Sequence, residues 1–135
     1  KKVAMSLSDK FCVDRHKADF LNLVKNKLDI TFANEAEITS LINAKNFDEV
    51  ISFGQKIKKQ LVITRGEKGA VSIIGEKVYE VKVKNNLKIL DLTGAGDLFA
   101  AGYLHGFINN LSQKECLDLG TEMSAKIIQQ IGARL

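Results

Sequence analysis

The chain has 135 residues, 45% of them apolar and 27% charged, with a formal net charge of +4. That is enough for one compact domain burying about two-thirds of its unfolded surface, and too balanced a composition for disorder. No stretch approaches the roughly 20 uninterrupted apolar residues of a membrane span, and charge interrupts residues 1 to 10 before a signal-peptide core can form, so neither a membrane partner nor export is expected. The lysines are scattered and make no phosphate-tracking stripe, so nucleic-acid binding is not expected either. Cys12 and Cys116 form no CxxC pair and no disulfide framework, which points to a reducing cytoplasm and away from thiolate metal sites.

Residues 3 to 7 are a short apolar run suited to a buried strand, and residues 14 to 27 predict a helix, with Ala18, Leu21, Val24 and Leu28 at helical spacing. Residues 30 to 33 predict the next strand. Asn34-Glu35-Ala36-Glu37 then opens a helix to about Leu41, and a second helix starts at Phe47 with Val50, Gly54 and Ile57 inward. Residues 61 to 64 predict a further strand and Arg65-Gly66-Glu67-Lys68-Gly69 a turn. Residues 70 to 74 and 77 to 83 predict two strands joined by Gly75-Glu76, a two-residue hairpin with glycine first, the type II′ pattern. In the second of these, Tyr79, Val81 and Val83 alternate with Glu80, Lys82 and Lys84, giving one wet face.

Ile89-Leu90 predicts a last apolar strand, with Leu92 expected to point into the sheet, and a helix follows from about Gly96 to Asn109. Ser112-Gln113-Lys114-Glu115 is a capping box, after which Cys116, Gly120, Met123, Ile127 and Ile131 form one apolar stripe. Strands alternating with helices, plus one hairpin, predict an α/β sandwich whose sheet is mainly parallel with an antiparallel portion.

The densest chemistry lies at Gly94-Ala95-Gly96-Asp97. Small residues there let a ligand approach the backbone, and their N–H groups at a helix N-terminus suit a phosphate or a developing anion. Asp97 stands beside them in the first turn, an acid expected at the edge of a core. A dinucleotide fingerprint needs glycine where Phe99 stands, and a Walker A Gly-Lys-Ser/Thr is absent, so neither applies. Asp91-Leu92-Thr93-Gly94-Ala95-Gly96-Asp97, followed by Phe99-Ala100-Ala101-Gly102, instead resembles the signature of the ribokinase/PfkB family of sugar and nucleoside kinases. Asn34-Glu35-Ala36-Glu37 is similar to that family's NxxE motif and Thr64-Arg65-Gly66-Glu67-Lys68-Gly69 to its TxGxxG nucleotide loop, in the family's order. Leu7-Ser8-Asp9, Phe11-Cys12-Val13 and Ile131-Gly132-Ala133-Arg134 resemble bacterial adenosine-kinase-like members.

The resemblance implies the three-layer Rossmann-like sandwich of the ribokinase fold, with residues 1–135 as its C-terminal ATP-binding and catalytic part. The half bearing the substrate pocket and the β lid, through which a homodimer could form, lies outside the chain. It implies an ATP- and Mg²⁺-dependent kinase that phosphorylates a hydroxymethyl group of a nucleoside, adenosine foremost, or of a sugar such as ribose or fructose, the piece alone being inactive. Asp97 is then the base, and the amides of Gly94, Ala95 and Gly96 hold negative charge. Thr64, Gly66 and Gly69 meet the nucleotide, Asn34 and Glu37 act on Mg²⁺ through water, and Asp91 and Thr93 lie near a monovalent cation such as K⁺ in members that use one.

The residue chemistry suits these roles. A carboxylate is too weak a base to strip an alcohol in advance, but phosphoryl transfer relies mainly on positioning and electrostatics, so proton acceptance late in the reaction suffices. Magnesium keeps several waters and meets protein through one or two carboxylates. Plainer readings stand beside them: Asp97 as a helix N-terminal acid, Asn34 and Glu37 as a capping box, and TxGxxG as a glycine turn. Arg65 could touch a phosphate or solvent; Ala101, Gly102 and Gly106 suit close helix packing; His16 and His105 have no metal-ligand partners at useful spacing. The alternative to an enzyme is a non-catalytic nucleotide-binding or interaction module derived from such a kinase.

Overall fold

Strands β1 (Ala4–Ser6), β2 (Ile30–Asn34), β3 (Gln60–Thr64), β4 (Ala70–Ile74) and β5 (Lys77–Val81) form one sheet in the order β1-β2-β3-β4-β5 in a computed structural model that describes residues 1–83 and 87–135. β1 and β2 run parallel, as do β2 and β3, with Asn34 opposite Thr64. The connection from β3 to β4 holds only a 3₁₀ turn (Gly66–Lys68), too short for a parallel crossover, so the sheet turns antiparallel there. Gly75 at φ 56° followed by Glu76 without positive φ makes the expected II′ hairpin to β5. The sheet is thus mixed, an α/β arrangement as the element pattern predicts. β5 ends at Val81, two residues short of the predicted end, although the alternation of exposed Glu80 and Lys82 with buried Val81 holds; Lys84 lies outside the described residues.

The chain divides into two compact units, residues 1–65 with 71–79, and residues 66–70 with 80–135. In the first, Ile30, Thr31, Phe32 and Ala33 of β2 are all buried, as expected of a parallel strand covered on both faces. Its core is built from Leu7, Val13, Val24, Ile38, Leu61 and Ile63 with their neighbours. The first helical region departs from its predicted form. Instead of one helix from residue 14, α1 (Lys10–Arg15) begins earlier because Asp9 accepts the Cys12 N–H at 2.9 Å, and it breaks at His16, whose φ of −129° is non-helical. α2 (Lys17–Asn22) then runs into a π-helical turn, Leu23–Lys27, which brings Val24 and Leu28 inward and leaves Ala18 exposed.

α3 (Glu35–Ile42) and α4 (Phe47–Ile57) follow β2, each ending on a left-handed residue, Asn43 and Lys58. Val50 and Gly54 of α4 are buried as predicted, and a Cβ at Gly54 would lie 2.8 Å from Ile73 Cδ1, so the absent side chain lets α4 lie against β4.

In the second unit α5 (Ala95–Ile108) and α6 (Gln113–Ile127) pack antiparallel across a short turn, α6 opening on the predicted Ser112–Glu115 capping box. A Cβ at Gly102 would sit 2.6 Å from the Leu119 carbonyl oxygen and one at Gly120 2.8 Å from that of Phe99, so backbone meets backbone at this crossing. Gly106 packs on Cys116, whereas Ala101 is exposed and takes no part in the seam. Ile131, expected to extend the apolar stripe, is 85% exposed because α6 has already ended.

The predicted strand at Ile89-Leu90 is absent. Leu90 and Asp91 donate their N–H groups to the Ile128 carbonyl, at 2.7 and 3.3 Å, instead of to a sheet. Leu92, expected to point into the sheet, is 66% exposed.

Candidate functional site

In the first unit, the NxxE residues and the first residue of the TxGxxG loop meet at the carboxyl ends of adjacent strands. Asn34 closes β2 and is the register partner of Thr64, which closes β3. In parallel α/β sheets this edge is where ligands bind, because strand ends and helix starts leave backbone groups and polar caps free to face them.

Asn34 caps α3, and the cap is reciprocal. Asn34 Oδ1 accepts the Glu37 N–H at 2.8 Å, Glu37 Oε2 accepts the Asn34 N–H at 2.9 Å, and Glu37 Oε1 accepts from Asn34 Nδ2 at 3.2 Å. Glu37 is only 4% exposed. Burial pushes its carboxyl above the ordinary value, the Asn34 amide opposes this, and the nearby charge of Asp9 adds to it. Capping therefore explains the motif's geometry, yet each carboxylate oxygen keeps accepting capacity beyond the Asn34 donor it already has. This hard-oxygen donor set suits a hydrated magnesium ion. Among the described residues no three His, Cys, Asp or Glu side chains group to hold a metal directly.

Arg65 was legible in the sequence as a residue facing phosphate or solvent, and the structure places it otherwise. Its Nε and Nη2 donate to Glu35 Oε2 and Oε1 at 3.1 and 3.2 Å, and its Cζ lies 3.5 Å from the Phe47 ring centroid. The hint available in sequence was that Glu35 and Arg65 each follow a motif residue at a strand end, so a parallel register brings them together.

The second unit carries the remaining predicted residues. Gly66 has φ 57° with open space where a Cβ would stand, whereas at Gly69 a Cβ would lie 1.9 Å from the Val81 carbonyl oxygen, so packing alone requires glycine at 69. Gly94, at φ 80°, caps α5 with no side-chain hydrogen bond, and a Cβ there would meet Ala133 at 3.0 Å. The Ala95 N–H donates to the Leu92 carbonyl at 3.2 Å. Nothing lies within 4 Å of a Cβ at Gly96, so that face of the turn is open. Such an uncapped, open helix start suits an anion. Asp97, expected at the edge of a core, is exposed in the first turn of α5.

Asp91 and Thr93 are joined directly. Asp91 Oδ1 accepts the Thr93 hydroxyl at 2.7 Å and the Thr93 N–H at 2.9 Å, and Oδ2 accepts the Gly132 N–H at 3.1 Å. These bonds, the hydroxyl first, hold the Asp91 carboxyl below its ordinary value. The tie from Asp91 to Gly132 has no signature in the sequence, since it links segments far apart in the chain. His16 and His105 are exposed.

Comparison with known proteins gives this geometry a family. The chain is similar to a probable sugar kinase from Rhizobium etli, at 40% identity and a TM-score of 0.95 over 99% of this chain and 41% of that one. It is similar to adenosine kinase from Sinorhizobium meliloti, at 37% identity and a TM-score of 0.95 over 100% of this chain and 42% of that one. With Arabidopsis thaliana ribokinase, solved with ribose and ATP, it shares 28% identity and a TM-score of 0.74 over 83% of this chain and 38% of that one. The fold is therefore that of the ribokinase-like kinases, seen in part, and the chain spans less than half the length of the curated relatives it matches first. The description of the pfkB family of carbohydrate kinases matches residues 1–135 from end to end, and the chain belongs to that family.

Proposed function

We propose that these residues are the C-terminal, ATP-binding and catalytic part of a cytoplasmic kinase that uses ATP and Mg²⁺ to phosphorylate a hydroxymethyl group of a nucleoside or sugar, adenosine foremost. The observation that carries the reading is the pairing of Asn34 with Thr64, which sets two motifs side by side at the ligand-binding edge of the sheet. Kinship with an adenosine kinase and with a ribokinase solved with ribose and ATP supports the substrate and nucleotide classes. The free thiols of Cys12 and Cys116 support a reducing compartment.

In this reading the acceptor hydroxyl oxygen bonds to the γ-phosphorus as the bond to the ADP oxygen breaks, and Asp97 takes the hydroxyl proton. The open helix start at Gly94, Ala95 and Gly96 receives the developing negative charge. Thr64 and Gly66 donate to the phosphates, and Gly69 shapes their loop. Asn34 fixes the orientation of Glu37, which would hold Mg²⁺ through water, and the ion when bound would supply positive charge against the phosphates. Asp91 and Thr93 support the turn, and in a K⁺-dependent enzyme they would lie by the cation.

The test is a screen of the full-length protein with ATP and Mg²⁺ against adenosine, ribose, fructose and related acceptors. Phosphorylation of adenosine above the rest is the expected result. ATP binding without transfer to any acceptor would instead identify a non-catalytic nucleotide-binding module.

A further inference from the structure

We propose that Arg65 is a positioning residue that clamps the end of β3 to the start of α3, fixing Thr64 against Asn34 and Glu37, and that it is not a phosphate ligand; this rests on the kinase reading above. The backbone ladder between β2 and β3 ends at the Asn34–Thr64 pair. Beyond it the two segments separate, one into α3 and the other into the Gly66–Lys68 turn. Strand ends fray where pairing stops. Here the next residue on each side, Glu35 and Arg65, adds one more rung through side chains, a two-bond fork of 3.1 and 3.2 Å.

Two further features distinguish this fork from an incidental surface pair. Phe47, the first residue of α4, lies 3.5 Å from the guanidinium carbon, so one face of the cation is covered and a third element is drawn into the contact. The Arg65 side chain is 17% exposed and that of Glu35 33%, so the pair is partly withdrawn from solvent, and its fork geometry is the directional kind that fixes orientation. With two donors on Glu35 and one face on Phe47, the guanidinium is oriented by α3 and α4. What it controls is the spacing between a nucleotide-contacting hydroxyl on Thr64 and a magnesium-directed carboxylate on Glu37.

The experiment uses the full-length protein, calorimetric binding of Mg·ATP without acceptor, steady-state kinetics and thermal melting. Arg65→Met and Glu35→Ala are each expected to weaken Mg·ATP binding about fivefold or more, with the double variant little worse than either, because both break one interaction. The charge exchange Arg65→Glu/Glu35→Arg should recover part of the loss, and KM for ATP should rise more than kcat falls. If Glu35→Ala leaves Mg·ATP binding intact or tightens it while Arg65→Met weakens it, Arg65 is a phosphate ligand and the clamp is wrong. Lower melting temperatures with wild-type Mg·ATP affinity would reduce the pair to a stability role and also overturn it. Should Arg65→Met fail to fold, Glu35→Gln carries the test through the same binding measurement, weakened binding supporting the clamp and unchanged binding refuting it. Wild-type protein that binds no Mg·ATP would defeat the kinase reading itself, a result distinct from normal binding that ignores the Glu35 and Arg65 changes.

Discussion

Asn34 and Thr64 stand opposite one another as the last register pair of β2 and β3, so two motifs distant in sequence begin from neighbouring points at the same edge of the sheet. Their adjacency depends on parallel pairing. An antiparallel arrangement of the same strands would send the two motifs to opposite edges.

Replacing Asp97 tests the base. Asp97→Asn in the full-length protein should lower kcat by about 10²- to 10⁴-fold while Mg·ATP binds nearly as in wild type, since the amide keeps the shape and loses the proton acceptor. Unchanged turnover in a phosphoryl-transfer assay would remove Asp97 from the mechanism.

Glu37 should leave a mark on both magnesium use and acid stability. Glu37→Gln is expected to raise the Mg²⁺ concentration needed for half-maximal rate. Burial lifts the Glu37 carboxyl above its ordinary 4.5, so the folded chain holds this proton more tightly than the unfolded chain. Stability from this group then falls as pH rises from 4.5 through the raised folded value, and the glutamine variant, with no proton to release, escapes the fall. The melting temperature of wild type minus that of the variant should decrease as pH rises from 4.5 through the raised folded value, and a flat difference would contradict the assignment.

Asp91 titrates in the opposite sense. Its carboxyl is held below the ordinary 3.8 by Thr93 and Gly132, so its contribution to folding is present above 3.8 and is lost as pH falls through the depressed value. Asp91→Ala should speed hydrogen exchange at the Gly132 amide at neutral pH, measured by mass spectrometry or NMR. Wild-type protection there would mean that the carboxylate does not tether the C-terminal segment.

Gly102 and Gly96 should separate packing from ligand approach. Gly102→Ala places a Cβ 2.6 Å from the Leu119 carbonyl oxygen and is expected to cost about 1–3 kcal/mol in urea unfolding, because α5 and α6 must part. Gly96→Ala meets nothing within 4 Å, so its unfolding midpoint should match wild type within experimental scatter while kcat/KM for ATP falls. Equal destabilisation by both would refute the distinction.

Elements carried by local signals were read closely from the sequence. The Gly75 hairpin, the Asn34 and Ser112 caps and the strand at Ala70–Ile74 depend on neighbours in the chain, and all appear where predicted. The errors fall where distant partners compete for the backbone. Ile89 and Leu90 have the composition of a strand, yet Leu90 donates to Ile128 at the end of α6. The helix predicted from residue 14 was divided because Asp9 offered an earlier cap and His16 broke the run.

By itself the sequence determined the chemistry available: an acid beside small residues at a helix start, a carboxylate paired with its cap, and a glycine turn after an apolar strand. Motif identity and local propensity are properties of consecutive residues, so they survive without knowledge of the fold. Only the tertiary structure decided that Asn34 faces Thr64, that Arg65 is held by Glu35 and Phe47 instead of open to a phosphate, and that Asp91 ties Gly132. Each of these contacts joins residues remote in the chain, and strand register and helix packing, which no single segment encodes, bring them within hydrogen-bonding or packing distance.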